Sequence, residues 1–452
     1  MYPFTEQLLK YNSNNYRIKK FNYRNNEKDN GKISKKNNNK INIINKIGIL
    51  ALDVKGNYYL QIKKYCKKYN LLNDLIVIEL NSNVFYNPLH KPNLKPQILA
   101  NRIKDILMLF SENNTESFWL DKAEQILAEA IKICRIYNDN YVTFLELHKL
   151  ITDENYLNKK LKIIKNLFIS NKLNQKQIYE LNTSLDFFQK EFLTLDSRTK
   201  GILISEITRI TNNFISDPDV VRTFCSPKEN LTFSGFEEVI NKGKIVVLNM
   251  NISEYSLLSK IVAAYLKLDF QSEIINNLSK NNSKFSAFIC DEYDKYCTKN
   301  DGEFFSLSRE AKCINIISTQ SYSSLKNTLK DETSVRIITQ NLINKIWFRT
   351  DDIYTIEEIQ KQLGKEDKEK ISKTISENAQ KTNYSYITNS LNSHNSNISE
   401  TINSYKQKDF IFDTNFFTQN LETFTALTFL SDGNKILKPE KLNLFPYFKE
   451  RT

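Results

Sequence analysis

The sequence predicts an α/β protein in which a parallel sheet is interrupted by an all-helical insertion. Continuous apolar runs of strand length alternate with helical stretches near both ends of the chain. The middle of the chain, residues 95–235, has helical periodicity and no strand signal. The composition, with 40% hydrophobic and 26% charged residues, is that of a globular protein. Unbroken apolar runs are typical of parallel strands covered on both faces.

The segment 1–94 carries the first part of the predicted sheet domain. Residues 4–17 have the pattern of a short helix, and the polar tract 20–45 contains too few apolar residues to pack, which predicts a mobile loop. The runs I-G-I-L-A-L-D (47–53) and D-L-I-V-I-E-L (74–80) predict two strands with a helix between them. This strand-helix-strand order favours parallel pairing.

Residues 95–235 are predicted to form the all-α insertion. The stretch 119–134 places apolar side chains on one face at helical spacing: Leu120, Ala123, Ile126, Leu127, Ala130 and Ile131. Four further stretches continue this pattern: Phe144–Ile151, Leu161–Ile169, Gln175–Leu195 and Arg198–Phe214.

Residues 236–452 are predicted to complete the sheet domain. Four more strands are expected, at 244–250, 285–290, 314–320 and 345–350. With the two earlier runs, the sequence predicts at least six parallel strands. The Ser/Asn-rich segment 375–408 predicts a long exposed loop, and 423–439 predicts an edge hairpin of two strands about an Asp-Gly turn.

The composition and charge limit the classes of function that this chain is expected to have. The net charge of +12 and pI near 9.1 suit a polyanionic partner, although enrichment of Lys, Asn and Ile throughout the chain explains the charge equally well. Six cysteines without a C-x-x-C pair, and three histidines, argue against zinc and against a disulfide framework. No apolar run is long enough to span a bilayer and no signal peptide is present, which predicts a cytoplasmic protein.

Polar residues follow three of the predicted strands. Asp53 and Lys55 follow the first, Asp291 and Glu292 follow the strand at 285–290, and Gln320 ends the next. Side chains at the carboxyl ends of parallel strands face the ligand crevice of an open sheet. An Asp there can hold Mg²⁺ through water, a Glu can deprotonate an attacking water, and a Gln can sense a γ-phosphate.

Each of these residues also has a structural interpretation. A D-E pair after a strand often caps the following helix, where acidic residues are favoured. Gln320 on its own is an ordinary loop residue, and Arg309 suits an exposed helix salt bridge with Glu310 or Glu303. The combination of the D-E pair, the helix arginine and the T-Q pair after the next strand favours a nucleotide site.

These residues closely resemble the TraG/TraD family, the coupling ATPases of conjugative type IV secretion systems. The run 291–325, D-E-Y-D-K-Y through S-R-E-A-K-C-I-N-I-I-S-T-Q-S-Y-S-S-L, resembles the family's Walker B and following motif. Further motifs match in order: A-L-D-V-K-G (51–56, with Val54 replacing a proline), F-Y-N-P-L (85–89), F-W-L-D-K-A (118–123), G-K-I-V-V-L-N-M (243–250), Y-L-K-L-D-F-Q (265–271), N-L-I-N-K-I-W-F (341–348) and L-S-D-G (430–433).

The resemblance implies a RecA-like P-loop NTPase-type fold that forms a homo-hexamer and uses ATP and Mg²⁺. It implies Asp291 as the Mg²⁺ ligand through water, Glu292 as the catalytic base, Gln320 as the γ-phosphate sensor and Arg309 as an arginine finger acting on a neighbouring subunit. Asp53, Lys55 and Gly56 match the family's D-P-K-G strand end and are expected at the nucleotide. The implied partners are DNA, single-stranded or relaxase-bound, the relaxase or relaxosome, and the secretion channel at the inner face of the cell membrane.

The sequence departs from the family in one motif. It contains no G-x-x-x-x-G-K-[ST] phosphate loop among its 452 residues, and only nine glycines. In the family, that loop precedes a helix that P-F-T-E-Q-L-L-K-Y (3–11) resembles, so Met1 is expected to follow the loop and the membrane helices. We therefore expect weak ATP binding and negligible hydrolysis by this polypeptide alone, and an exposed sheet edge.

Two function classes compete with a complete motor. One is a non-catalytic protein that binds DNA or relaxase, or serves as a scaffold. The other is a piece of a motor that works only with a separately encoded phosphate loop. A related hexameric DNA translocase of chromosome segregation fits less well, because the S-R-E-A-K and L-S-D-G motifs match the coupling proteins.

Overall fold

The computed structural model describes residues 1–13, 46–53, 55–110, 117–170, 173–279, 284–377, 382–388, 390–393 and 398–446. The chain forms two compact units, the first comprising Met1–Gln320 and Ser324–Leu342, and the second Ser321–Ser323 and Ile343–Thr452. The predicted polar loop 20–45 lies outside the described residues.

A five-stranded parallel sheet forms the centre of the first unit. Its strands are β1 (Gly48–Leu52), β2 (Leu75–Ile78), β3 (Ile245–Leu248), β4 (Ser286–Cys290) and β5 (Cys313–Ile317), in the order β2-β3-β1-β4-β5. Every residue of β1, β3 and β4 is buried, which accounts for their unbroken apolar sequences. Strand β5 lies at an edge of this sheet and is only partly buried.

Two helices pack on this sheet. Helix α1 (Tyr2–Asn12) and helix α2 (Tyr58–Lys68) contribute Leu9 and Ile62 to an apolar cluster with Ile49 and Ile289 of the sheet. Burying side chains of this size contributes about 1.5–3 kcal/mol each, so this cluster anchors both helices to the strands. Residues 14–17 of the predicted first helix lie outside the described residues.

Between β2 and β3 the described elements are helices: α3 (Pro96–Phe110), α4 (Ser117–Tyr137), α5 (Phe144–Thr152), α6 (Glu154–Ile169), α7 (Gln175–Asp186), α8 (Ser197–Thr211), α9 (Pro218–Phe224) and α10 (Phe236–Lys242). Their starts follow from local sequence. Thr143 accepts the N–H of Glu146, Asp153 caps α6, and Asn174 forms a capping box with Gln177. These caps satisfy N–H groups that the first helical turn leaves unpaired.

The next four α-helices after β3 in the described part of the chain are α11 (Ile252–Ser279), α12 (Asp301–Ser308), α13 (Tyr322–Leu329) and α14 (Glu332–Asn341). Helix α11 is interrupted at Ser256, whose φ of 43° and ψ of −118° are not helical. Within the described ranges, no helix combines the length and apolarity that a membrane span requires.

The second unit corrects three sequence predictions. The predicted sixth parallel strand is β6 (Lys345–Trp347), which pairs antiparallel with β11 (Thr425–Phe429) in a separate three-stranded sheet. Its alternating burial is typical of antiparallel strands, and sequence alone does not identify the partner. The predicted hairpin 423–439 is only partly correct. The Asp-Gly turn closes a single bridge between Ser431 and Ile436, and the strand that pairs with β11 is β12 (Glu440–Asn443).

The predicted loop 375–408 is also wrong. Strands β7 (Lys365–Glu377) and β10 (Ile398–Phe410) form a two-stranded antiparallel ribbon, and β8 (Thr382–Ser385) pairs with β9 (Ser390–Ser393) between them. Cross-strand ion pairs such as Lys370–Asp409, at 3.0 Å, support the ribbon. The polar and charged residues of the ribbon give it the composition of a loop, so the prediction from composition is wrong here. Helix α15 (Ile353–Leu363) precedes the ribbon in the chain.

Candidate functional site

Asp53 stands at the carboxyl end of β1 and organises the turn into α2. One of its carboxylate oxygens accepts the N–H groups of Asn57 (3.1 Å) and Tyr58 (3.0 Å), and the other accepts that of Lys55 (2.9 Å). Asp53 is buried, so these bonds replace the water that its charge would otherwise need. The observed role of Asp53 is to cap α2, and contact with a nucleotide remains a prediction.

Gly56 lies in the same turn with φ of +71°. A Cβ at this position would approach the Cα of Asn251 to 3.3 Å, so a larger residue would be both strained and crowded. The glycine thus permits close approach of the turns that follow β1 and β3.

Asp291 and Glu292 follow β4 at the same edge of the sheet. The N–H of Asp291 bonds to the carbonyl of Leu52, and its carboxylate accepts the hydroxyl of Ser318 and the N–H of Glu292 (3.1 Å). Glu292 has φ of 47°, a left-handed conformation that costs about 1 kcal/mol or more in a residue with a side chain. This backbone conformation turns the Glu292 side chain away from the direction that it would have if the strand continued.

Lys55 contacts Glu292 across this edge. Its ammonium nitrogen lies 2.6 Å from a Glu292 carboxylate oxygen, and Glu292 is largely buried while Lys55 is mostly exposed. The hydrogen bond and the charge of Glu292 raise the pKa of Lys55. The structure therefore brings together Asp53, Lys55, Gly56, Asp291 and Glu292, five of the residues that the sequence singled out.

The remaining two predicted residues lie apart from this cluster. Gln320 is exposed and follows β5, two residues beyond Ser318, at the same carboxyl edge. Arg309 is exposed at the end of α12 and precedes β5, so it lies near the opposite edge, separated by a strand length of about 13 Å. Among ion pairs formed by the described residues none includes Arg309, so the alternative salt bridge to Glu303 or Glu310 is not formed.

The sequence reasoning missed Ser318 and a buried network behind the Asp291–Glu292 turn. Lys267 of α11 and Asp301 of α12 form a fully buried ion pair, with the Lys267 nitrogen 2.6 Å and 2.7 Å from the two Asp301 oxygens. Asp301 also accepts bonds from Tyr293 (2.5 Å), Gln271 (3.1 Å) and both the N–H and the hydroxyl of Thr298 (3.0 Å each).

This network fixes the segment 293–301, which leads away from the two carboxylates. A buried ion pair is tolerated only when its remaining donors and acceptors are satisfied, as they are here. The signal in the sequence was Y-L-K-L-D-F-Q, where a lysine stands in an otherwise apolar helix that strand-end reasoning does not consider.

A second buried carboxylate, Asp269, lies two residues beyond Lys267 on the same helix. It accepts the hydroxyl of Tyr86 (2.9 Å) and pairs with Lys91 (2.7 Å) and Arg102 (3.2 Å). Tyr86 belongs to the F-Y-N-P-L segment, Lys91 follows that segment and Arg102 lies on α3, so Asp269 joins the start of the helical insertion to α11. We interpret it as a structural junction.

The amino end of α1 lies near the carboxylates. Burial lowers the pKa of the Met1 amino group, and the charge of Asp291 opposes this effect. Thr5 of α1 shares a hydrogen bond with the buried Tyr58 hydroxyl of α2, which links the starts of the two helices. Because the positive end of a helix dipole favours anions, α1 adds positive potential beside Asp291.

The oxygen donors at this edge suit Mg²⁺ better than a transition metal. A carboxylate (Asp291) and a hydroxyl (Ser318) are hard oxygen ligands, and Mg²⁺ is commonly held by one or two carboxylates, waters and substrate phosphates. In the described part of the chain, no group of three or more His, Cys, Asp or Glu side chains is arranged to hold a metal by itself. The residues present fit a hydrated Mg²⁺ that a nucleotide brings with it.

Comparisons with known proteins show what this chain resembles. Residues 286–409 match the family model described as the TraM recognition site of TraD and TraG. The search of curated proteins finds no match.

Three similar solved structures are forms of the coupling protein TrwB. The plasmid coupling protein TrwB in complex with ADP and Mg²⁺ is 12% identical, with a TM-score of 0.56 over 90% of this chain and 80% of that chain. The complex with the non-hydrolysable ATP analogue ADPNP is 12% identical, with a TM-score of 0.53 over 90% and 82%. The unbound bacterial conjugative coupling protein TrwBdeltaN70 is 12% identical, with a TM-score of 0.51 over 88% and 84%. This likeness confirms the predicted α/β, RecA-like fold with a helical insertion.

Proposed function

We propose that this chain contributes the carboxylate half of an ATP site. The premise is that the chain belongs to the TraG/TraD coupling proteins of type IV secretion. The site would be used to pass relaxase-bound DNA to the transfer channel. The observation that carries the proposal is the meeting of Asp291, Glu292 and Ser318 at the carboxyl edge of the parallel sheet. All three lie inside the segment 286–409 that matches the family model.

The proposed roles follow from the contacts. Asp291 and the Ser318 hydroxyl would hold a hydrated Mg²⁺, and a bound Mg·ATP would supply the charge-neutralised phosphate. Glu292 takes the proton from the attacking water, for which its ion pair with Lys55 must first open. Gln320, exposed after β5, would sense the γ-phosphate.

We propose that Arg309 acts on the nucleotide of a neighbouring subunit in a homo-hexameric ring. Because β5 separates Arg309 from the carboxyl edge, its guanidinium does not serve the site of its own chain. An arginine supplied in trans typically raises phosphoryl-transfer rates by about 10³–10⁵-fold. Its exposed position and lack of an ion pair among the described residues support this role.

The second candidate is a non-catalytic protein that recruits DNA or relaxase. The observation that favours it is the lack of a G-x-x-x-x-G-K-[ST] motif in these 452 residues, because the backbone N–H cradle and the lysine of that loop bind the phosphates. Both candidates share the coupling role and differ in whether this chain turns over ATP.

Two measurements on the full chain separate the candidates. The first is Mg²⁺-dependent ATP turnover of the wild type and of Glu292→Gln, with Glu310→Gln in the exposed turn after α12 as matched control. We expect wild-type turnover at background level and no change in Glu292→Gln. Turnover that falls in Glu292→Gln alone would mean that the chain is a working motor, whereas turnover equal in all three proteins and above background would place the active site elsewhere.

The second measurement is binding of single-stranded DNA and of a relaxase–DNA complex at several salt concentrations. Binding that weakens as salt rises is expected from the basic charge of the chain. Absence of binding to both would refute the coupling role in either form.

A further inference from the structure

The ribbon of β7 and β10 is long and exposed on both faces. Each strand has 13 residues, paired from Lys365↔Phe410 to Glu377↔Ile398. Of the side chains described in the ribbon, most are exposed and none is buried. An isolated two-stranded ribbon is at best marginally stable in water, so one of its faces is expected to be covered in the working protein.

The two faces of the ribbon differ in chemistry. One face presents Ile371, Ile375 and Ile402, which are 73%, 58% and 62% exposed. Successive side chains of a strand point to opposite faces, so the other face carries no isoleucine. It consists of Ser372, Thr374, Ser376, Ser399, Thr401 and Asn403 together with Glu366, Lys368, Lys370, Tyr405, Gln407 and Asp409. We call the first surface the isoleucine face. Its remaining members between Asp367 and Lys408 are Asp367, Glu369, Lys373, Glu400, Ser404, Lys406 and Lys408.

The charges of the isoleucine face are arranged so that the face complements itself. In this arrangement a second copy stacks face to face on the first. The two copies are related by a two-fold axis that lies between them, perpendicular to the strands, at the Ile371–Ser404 pair. Residues equally far from the axis on the same strand then lie opposite each other. On β7, Glu369 faces Lys373 of the second copy, which already forms an ion pair with Glu400 of its own chain, and Ile371 faces its own counterpart.

The same axis gives a matching result on β10. Glu400 faces Lys408 of the second copy, and Ile402 faces the aliphatic stem of Lys406, which can cover apolar surface. Asp367 falls opposite Ile375, two positions outside the Glu369–Lys373 contact. No two like charges from Asp367 to Ile375 or from Glu400 to Lys408 face each other in this arrangement.

Nucleic acid is a poor occupant for this surface. Strand β7 carries four lysines and four acidic residues, and β10 carries two of each, so the ribbon is electroneutral. A polyanion would meet as much repulsion as attraction there. The combination of exposed isoleucines and self-complementary charge favours a second copy of this chain instead.

We propose that the isoleucine face is a two-fold self-association surface, through which two copies of this chain stack ribbon on ribbon. A two-fold contact is isologous and closes on itself, so it is distinct from the head-to-tail contact of the ring proposed above. The face measures about 41 Å by 10 Å from standard strand spacings, which buries on the order of 800 Å² in total. Stable interfaces bury about 1,200–2,000 Å², so we expect a weak dimer that depends on concentration and salt.

Cysteine cross-linking on the full chain tests this geometry directly. All six native cysteines are buried, so an introduced surface cysteine is the only accessible thiol. Ser404→Cys puts that thiol on the proposed two-fold axis, whereas Asn403→Cys puts it one residue away on the opposite face. With a short bis-maleimide, we expect several-fold more cross-linked dimer from Ser404→Cys, decreasing as salt is raised.

A second pair of variants tests the apolar contact. Ile402→Thr removes an isoleucine but keeps a β-branched residue, and Tyr405→Thr makes a comparable reduction on the opposite face. Sedimentation velocity over a concentration series is expected to show weaker dimerisation for Ile402→Thr only. Equal cross-linking of the two cysteine variants, no cross-linking of either, or a monomer at every wild-type concentration would overturn the proposal. None of these outcomes depends on ATP turnover.

Discussion

Removing one partner of the Lys267–Asp301 ion pair should destabilise the first unit far more than removing a surface pair. Both side chains are fully buried, and Asp301 accepts bonds from three further residues. Breaking a buried pair by deleting one partner typically costs about 3–5 kcal/mol, because the charge that remains is left without compensation.

The two deletions should not cost the same. In Asp301→Leu the Lys267 ammonium keeps one hydrogen-bond partner, the Thr298 hydroxyl at 3.2 Å, and the Tyr293 ring at 6.0 Å, so we expect the full cost of about 3–5 kcal/mol. In Lys267→Met the Asp301 carboxylate keeps four donors, from Tyr293, Gln271 and Thr298, so we expect a smaller cost of about 1.5–3 kcal/mol, the range of hydrogen bonds to charged groups.

Urea unfolding measures these costs, followed by the fluorescence of Trp119 in a Trp347→Phe background. The chain has two tryptophans, one in each unit, so this background reports on the first unit alone. Lys190→Met is the matched control, because its ion pair with Asp186 is 70% and 66% exposed and should contribute less than about 0.5 kcal/mol.

The double variant Lys267→Met/Asp301→Leu completes the cycle. Because it leaves no buried charge unpaired, it should cost clearly less than the sum of the single changes. Additive costs, or a Lys267→Met cost equal to that of Asp301→Leu, would refute the view that the remaining donors of Asp301 solvate its charge.

Three other predictions follow from single contacts. In Glu292→Gln the pKa of Lys55 should fall toward its ordinary value, which NMR of the methylated lysine detects; an unchanged pKa would contradict the ion pair. Burial raises the pKa of Asp105 to about 6, so the folded state holds a proton that the unfolded state releases, and stability is lost as pH rises between about 4 and 6. Asp105→Asn should remove up to about 3 kcal/mol of this pH dependence in unfolding measurements, and an unchanged profile would refute it. Gly243→Ala should destabilise the fold by more than about 1 kcal/mol, because φ is +66° and the new Cβ would lie 1.9 Å from the Lys46 Cβ; a neutral effect in the same unfolding assay would count against that strain.

The sequence predicted the sheet strands well where burial made their sequences continuous. Strands β1, β3 and β4 are buried throughout, so period-2 alternation is absent and the apolar run itself is the signal. It failed for β6 because three residues that alternate in burial carry no information about their partner. It failed for β7 and β10 because an exposed ribbon has the composition of a loop.

For the candidate site, too, the sequence predicted some residues and missed others. Asp53, Lys55, Asp291 and Glu292 were found from their positions after strands, since parallel strands bring their carboxyl ends to one edge. Ser318 was not singled out, because only the pairing of β4 with β5 places its hydroxyl at Asp291. Sequence position likewise says nothing about the distance between Lys55 and Glu292.

By itself the sequence determined the order along the chain of the strands in the parallel sheet, the helical insertion and the identity of the strand-end residues, because periodicity and capping are local properties. Only the tertiary structure decided which strands pair, that Lys55 neutralises Glu292, and that Lys267 and Asp301 meet in the interior. Such contacts join residues tens to hundreds of positions apart. They form because a buried charge must find an opposite charge or several hydrogen bonds, wherever in the chain those groups occur.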